Sequence, residues 1–371
     1  MSQETGEMHK LNEEAKWGVG ATPHEYGNPH NVKAEADLSC EPQTHIPRWG
    51  ETRFVSAFSP SSGAGIFYHA GRHRGDLDLW FAHIASFLPD GEVVVDRSSG
   101  RYAGLDGMAT GNFRLKIEEP LRRFSMQFDG GAERTTTLAL ANHPGGSGAR
   151  YVPMAWDIQC DAVGPVWDLF AIPGISQSSI GSVHTQQGFR TAGNITVAGK
   201  SYSLEGVGVN DHSNGPRDFD PLGGNNFIVA VLPGMTLHLV DIWKPDRSPL
   251  LFAGSIFTRQ GPVALTAAEM PPLEDLLGRP HAFALRLLKS DGSAVTFKVE
   301  ILHTIQVTVN DGGDNMNGVE WNISVNPYVA TECLAKFTGP DGIVGYGQVE
   351  RSARRDRISR ESLRLIRDEA R

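Results

Sequence analysis

The chain has 371 residues, 40% of them hydrophobic and 21% charged, with a formal net charge of -9. That length exceeds what one ordinary core serves, so two domains or two halves of one large structure are expected, and the composition excludes intrinsic disorder. The negative balance excludes a general nucleic-acid surface, which positive charge would have to carry.

Three cysteines, Cys40, Cys160 and Cys333, stand far apart without a CxxC pair. A reduced compartment is therefore expected, with neither a zinc cluster nor a disulfide framework. The opening MSQETGEMHKLNEEAK has no basic stretch followed by an apolar run, and no apolar run is long enough to span a membrane. A cytoplasmic protein is the expectation. The 42 glycines and 22 prolines predict many turns.

Residues 1–50 carry prolines, histidines and charges with little periodicity, and read as a wrapping extension with a short helix over Met8–Lys16. Thr52–Phe58 alternates, and a hairpin is predicted around Gly71–Gly75, its second arm setting Leu77, Leu79 and Phe81 opposite Trp80. His69, His73 and His83 lie nearby without the spacing of a zinc module. Phe124, Met126 and Phe128 alternate before an expected turn at Asp129–Gly131, and Val152, Met154, Trp156 and Ile158 repeat the period. Asn142–Gly148 lacks both a dinucleotide fingerprint and a Walker A lysine, so it reads as a connection. Pro173–Gly174 marks the expected passage to a second half.

Ile195–Val197 and Tyr202–Val209 read as a hairpin that delivers the chain to Gly206–Asp218, GVGVNDHSNGPRD. There Asp211, His212, Ser213, Arg217 and Asp218 gather beside glycines and a proline, a placement suited to acid/base work at a strand end. Consecutive strand residues face opposite sides, so Asp211 and His212 share a site only if the backbone turns between them. An ion pair of Arg217 with Asp211 or Asp218 is the structural alternative.

Beyond it, Phe227–Leu232 and Thr236–Trp243 flank Pro233–Gly234, and Asp241 is an acid on one face with Leu237, Leu239 and Trp243. A helix is predicted over Ala267–Leu277. Val295–Val309 is the clearest strand: Val295, Phe297, Val299, Ile301, His303, Ile305, Val307 and Val309 share one face. His303 is the lone imidazole there, a candidate proton carrier or a satisfied core histidine. Val319, Trp321, Ile323 and Val325 continue the period, a last strand includes Val344–Glu350, and a charged helical tail follows from Ser359. The expected organisation is all-β: an extension (1–50), two consecutive curved antiparallel sheet or barrel domains (51–175 and 176–350), short helices and a charged tail (351–371).

The stretch HTQQGFRTAGNITVAGKSYSLEGVGVNDHSNGPRD resembles the central region of the hydroxyneurosporene synthase or carotenoid 1,2-hydratase superfamily and its AttH-like relatives. The pattern falls on Gly206, Gly208, Asp211, His212, Ser213, Gly215, Arg217 and Asp218, with Asn210 and Asn214 where relatives often have arginine and an aromatic. The resemblance implies a pair of lipocalin-like domains with the motif facing a hydrophobic ligand space.

The expected activity is cofactor-independent hydration, or the reverse dehydration, of a hydrophobic terpenoid-like alkene, without a metal. Asp211 would protonate the alkene, and His212 or His303 would take the proton of the attacking water. Ser213, Arg217, Asp241 and His184 are candidate substrate contacts, with Trp156, Trp243 and Trp321 as aromatic walls for a cation. A terpenoid isomerase or cyclase, a non-catalytic lipophilic-ligand carrier and a partner-binding unit are the alternatives. The expected partner is a hydrophobic small molecule, and homo-oligomer formation is left open.

Overall fold

The computed structural model describes residues 28–354 apart from 74, 143–149, 176–180, 217, 220 and 310–327. The helices expected over Met8–Lys16 and from Ser359, and the strand through Val319–Val325, lie outside the described residues. Twelve strands build the first unit: β1 (Trp49–Phe58), β2 (Gly65–His73), β3 (Asp76–Phe87), β4 (Glu92–Arg101), β5 (Gly107–Ala109), β6 (Phe113–Glu119), β7 (Arg123–Thr136), β8 (Tyr151–Ala162), β9 (Trp167–Asp168), β10 (Val183–Val197), β11 (Lys200–Ser203) and β12 (Gly206–Pro216). A short helix, α1 (Thr137–Asn142), follows β7. Following the antiparallel pairings, β1, β2, β3, β4, β7, β8, β10 and β12 return to β1 and close a ring of eight. The hairpin of β5 and β6 extends from β7, while β9 and β11 lie on β10.

The second unit closes in simple chain order: β13 (Gly224–Leu232), β14 (Met235–Trp243), β15 (Pro249–Thr258), β16 (Gly261–Glu269), β17 (Ala282–Lys289), β18 (Ala294–Val309), β19 (Tyr328–Thr338) and β20 (Val344–Arg354), with β20 back on β13. The protein is thus all-β, two consecutive eight-stranded barrels, and closure leaves neither ring an open edge. Among the described residues no helix is long and apolar enough to cross a membrane.

Alternation along each strand sorts side chains into three large cores, beside a small cluster of Ala141, Leu276, Val329 and Ala353. Val55, Trp80, Met126 and Phe189 fill the first barrel, and Ile228, Leu239, Phe297 and Val349 fill the second. The opposite faces of the same strands, including Phe67, Phe87, Val209, Val229 and Ile305, meet in a third core between the barrels. In the outer half of β3 Trp80 is buried in the core, while Leu77, Leu79 and Phe81 are half-buried.

Several expectations need correction. The passage between the barrels falls after β12 rather than at Pro173–Gly174, because β10 and β12 are staves of the first ring. Asp129–Gly131 is no turn: β7 runs through it, and Gly130 serves close approach, since a Cβ there would lie 2.8 Å from the Asn112 side chain. Ala267–Leu277 is no helix; Ala267–Glu269 end β16 and the rest is irregular. Pro271 and Pro272 supply no N–H, and Asp275 Oδ1 accepts from the amides of Leu277 at 2.9 Å and Arg279 at 3.2 Å, replacing the helical ladder.

The face shared by Val295–Val309 is also divided. Ile301 pairs with Ala335 but His303 with Leu334, so Leu302 is an extra residue in β18. One added residue reverses every side chain beyond it. Phe297 and Val299 therefore point into the second barrel, whereas Ile305 and Val307 belong to the core between the barrels.

Candidate active site between the barrels

The motif strand β12 pairs with β1 without a shift of register, and two glycines hold it close: a Cβ at Gly206 would lie 2.0 Å from the Phe58 carbonyl, and one at Gly208 2.3 Å from that of Ser56. With no turn inside DHS, its residues alternate. Asp211 and Ser213 leave the first barrel and His212 enters it.

Outside, Asp211 and Ser213 meet His184 of β10 and Thr52, Phe54 and His69 of β1 and β2. They form one wall of a cavity of about 120 Å³ between the barrels. Nε2 of His184 lies 2.7 Å from Oδ2 of Asp211, an ion-pair contact off the line of a hydrogen bond. Neither ring nitrogen of His184 has a hydrogen-bond partner among the described residues. The imidazole lies flat against Phe227, its ring 6.1 Å away at an interplanar angle of 13°.

The facing wall comes from the second barrel. Phe227, Val240, Val307 and Tyr328 supply apolar surface, and Glu332 and Glu350 supply two carboxyl groups. The glutamates are direct partners across β19 and β20. Glu332 accepts a 2.6 Å hydrogen bond from Gln348, and Glu350 accepts one of 2.8 Å from Asn225, whose own oxygen is held by the Tyr328 hydroxyl. Burial raises Glu332 well above the usual carboxylate range, reinforced by the charge of Glu350. Glu350 is also raised by burial, with hydrogen bonds from Ser352 and Asn225 opposing the shift and Asp211 adding to it. Side by side out of water, the two cannot both ionise cheaply, so the pair retains a proton.

On its inward side His212 belongs to a different assembly. Its Nε2 lies 2.9 Å from Glu51 Oε1 and its Nδ1 2.8 Å from the Ala36 carbonyl. Both ring nitrogens of His212 thus face an oxygen atom. Arg72 completes the cluster through a 2.8 Å bond from Nε to Glu51 Oε2. Burial alone would raise Glu51, but the hydrogen bond and charge of His212, with Arg53 and Arg72, hold it at about 2. This buried network ties the described part of the N-terminal extension to the first barrel.

Of the residues singled out in the sequence, the structure brings Asp211, Ser213 and His184 to the cavity and leaves the others elsewhere. His212 is buried on the far side of β12. His303 is wedged between the barrels, stacked on Phe87 at 5.0 Å, and burial lowers it to about 4. Asp241 turns toward the second barrel beside Asn226, raised by burial. Trp156 is inside the first barrel, donating a 2.7 Å bond to Ser86. Trp243 borders a separate cleft of about 180 Å³, with Arg247 above its ring. Arg217 and Trp321 lie outside the described residues. Glu332 and Glu350 escaped notice, although an acid among Tyr328, Ala330 and Leu334 was the same signal that marked Asp241. Among the described residues no group of three or more His, Cys, Asp or Glu side chains is arranged to hold a metal ion.

A family model described as Domain of unknown function (DUF7064) matches residues 33–355. No curated protein matches the chain. Among solved structures, a putative AttH from Nitrosomonas europaea superposes with a TM-score of 0.59 at 16% identity, covering 84% of this chain and 96% of that one. Kievitone hydratase from Nectria haematococca gives 0.51 at 13% identity, covering 87% and 93%. CghA gives 0.51 at 10% identity, covering 89% and 97%. At these identities the fold is what is shared, and it is the fold that the central motif led us to expect.

Proposed function

We propose, for a chain that belongs to the DUF7064 family and shares its fold with a hydratase, that it hydrates a hydrophobic terpenoid-like alkene, or dehydrates the corresponding alcohol, by acid/base chemistry. The observation that carries this reading is the opposition, across one apolar cavity, of the His184–Asp211 pair and the proton-holding Glu332–Glu350 pair.

In the hydration direction the glutamate pair gives its proton to one alkene carbon, and the adjacent carbon becomes cationic. The faces of Phe54, Phe227 and Tyr328, negative at their centres, stabilise that charge. Water held by His184 attacks the cation and loses a proton to the ring, while Asp211 stabilises the imidazolium. Release of that proton to water, and recovery of one by the glutamate pair, restores the starting state. Asp211 thus serves as partner to the base rather than as the acid, since an imidazole already stands against its carboxylate. Apolar walls limit the water that reaches the cation.

The test is incubation with terpenoid alkenes in oxygen-labelled water, followed by product mass. Labelled alcohol is expected. An isomer of unchanged mass would replace hydration by cation rearrangement, and saturable binding without product would make the protein a carrier.

A further inference from the structure

We propose that the cavity between the barrels selects its ligand by charge: it admits an uncharged molecule, refuses an anion and holds a compact organic cation most tightly. This rests on the reading of the cavity as the ligand site and defines its substrate class further. The alkene or alcohol arrives free of phosphate and carboxylate, so a diphosphate-releasing or prenyl-transferring reaction stands upstream of it.

The first support is how the strands sort charge. In β12, Asp211 faces the cavity while its neighbour His212 enters the first barrel. In β20, Glu350 faces the cavity while Arg351 turns the other way, to the carbonyl of Gly278. In β1, Thr52 and Phe54 face the cavity while Arg53, between them, is buried against Asp37. Alternation along three separate strands thus sends acids or neutral groups outward to the cavity and bases inward to the barrels. Among the described lining residues there are three carboxyl groups and neither lysine nor arginine.

The second support is what those carboxyl groups lack. Glu332 is 6% exposed, and the hydrogen bonds it and Glu350 accept engage Oε2 of one and Oε1 of the other. Oδ2 of Asp211, the third carboxyl group on the cavity, has no hydrogen-bond partner among the described residues. Phe54 and Phe227 meet edge to face at 6.2 Å, and Tyr328 lies near Phe219, so aromatic surface borders the acids. Aromatic faces beside carboxylates are the chemistry that holds an ammonium ion. An anion meets three carboxyl groups with neither lysine nor arginine to pair it, whereas a cation would displace the retained proton and compensate the carboxylate it leaves.

Three probes of one shape separate these cases: cyclohexylammonium, cyclohexanol and cyclohexanecarboxylate, titrated calorimetrically into the full chain at pH 7 in buffers of different ionisation enthalpy. The ammonium is expected to bind about tenfold more tightly than the alcohol, as an added cation–aromatic contact and charge pairing imply. It should release protons, seen as a buffer-dependent heat, and the carboxylate should bind more weakly than the alcohol. Glu332→Gln and Glu350→Gln are expected to remove the ammonium's advantage over the alcohol. A carboxylate that binds as tightly as the alcohol, or an ammonium with no advantage, overturns the proposal on the unmodified chain alone. Labelled-water turnover on the same preparation distinguishes the two readings: turnover without the charge order sinks charge selection, and the charge order without turnover sinks hydration.

Discussion

His184, Asp211, Glu332 and Glu350 differ from His212 and Glu51 in what surrounds them, and the two sets should answer mutation differently. His184→Gln removes the base, whose ring nitrogens hold no hydrogen bond among the described residues, so kcat is expected to fall by roughly 10²–10⁴ with little change in melting temperature. Asp211→Asn should also slow turnover while the fold holds. Because the glutamate pair must be protonated to act, the rate should decline on the alkaline side as pH passes the raised values of Glu332 and Glu350. Glu332→Gln removes the neighbouring acid, lowers the remaining carboxyl and moves that limb toward acid, which a pH–rate profile reads directly. His212 and Glu51 act on stability instead. His212→Ala removes one partner of the buried Glu51 carboxylate, which Arg72 still pairs, and should cost about 1–3 kcal/mol in urea unfolding. Glu51, held at about 2 in the folded state, contributes stability that is fully present above its unfolded value near 4.5 and is lost as pH falls toward 2. The loss is on the order of 3 kcal/mol, and Glu51→Gln should flatten that acid limb.

A single extra residue in β18 decides what the second barrel offers the cavity. Leu302 lets Phe297 and Val299 serve the barrel while Ile305 and Val307 serve the core between barrels. Deleting it would swap those faces, turning Thr304 and Gln306 into the apolar contact and removing Gln306 from the Leu276 carbonyl it holds. Each stranded polar group costs about 1–3 kcal/mol, so the deletion is expected to abolish cooperative unfolding by circular dichroism. Leu302→Ala, which keeps the extra residue, should retain it. The same strand shows what periodicity conveys. Its length, direction and period of two were legible, and so was the all-β class, because alternation is a local property. The reversal at Leu302 was not, since apolar residues continue unbroken from one core into another. Likewise Asp211, Ser213 and His184 were legible through the stretch ending in DHS. Glu332 and Glu350 were not, because only closure of a second barrel carries their face to the motif. The wrong helix over Ala267–Leu277 arose from reading Pro271 and Pro272 as an opening turn when they instead deny the chain amide donors.

With the groups of its proposed site split between two closed rings, the molecule depends on how those rings meet. Neither barrel alone presents both pairs, and the core between them is made of outward faces, with Phe54, Phe67 and Phe87 on one side and Phe227, Val231 and Leu334 on the other. Two glycines set the distance of approach. A Cβ at Gly65 would lie 2.4 Å from Leu334 Cδ1, and one at Gly188 would lie 2.6 Å from Val231 Cγ2 and 3.3 Å from Thr236 Cγ2. Both first-barrel positions are thus pressed against second-barrel side chains, where a larger residue has no space. The apolar contact couples the barrels, so calorimetry of the unmodified chain is expected to show one unfolding transition with equal calorimetric and van't Hoff enthalpies. Gly188→Val forces the rings apart at a cost of about 1–3 kcal/mol while leaving each barrel's interior intact. Its expected signature is a broadened or divided transition, together with weaker cyclohexanol binding and slower turnover. A variant that unfolds in one sharp transition and binds as before would show that the cavity tolerates displacement of the barrels, and the joint construction of the site from both rings would then fail.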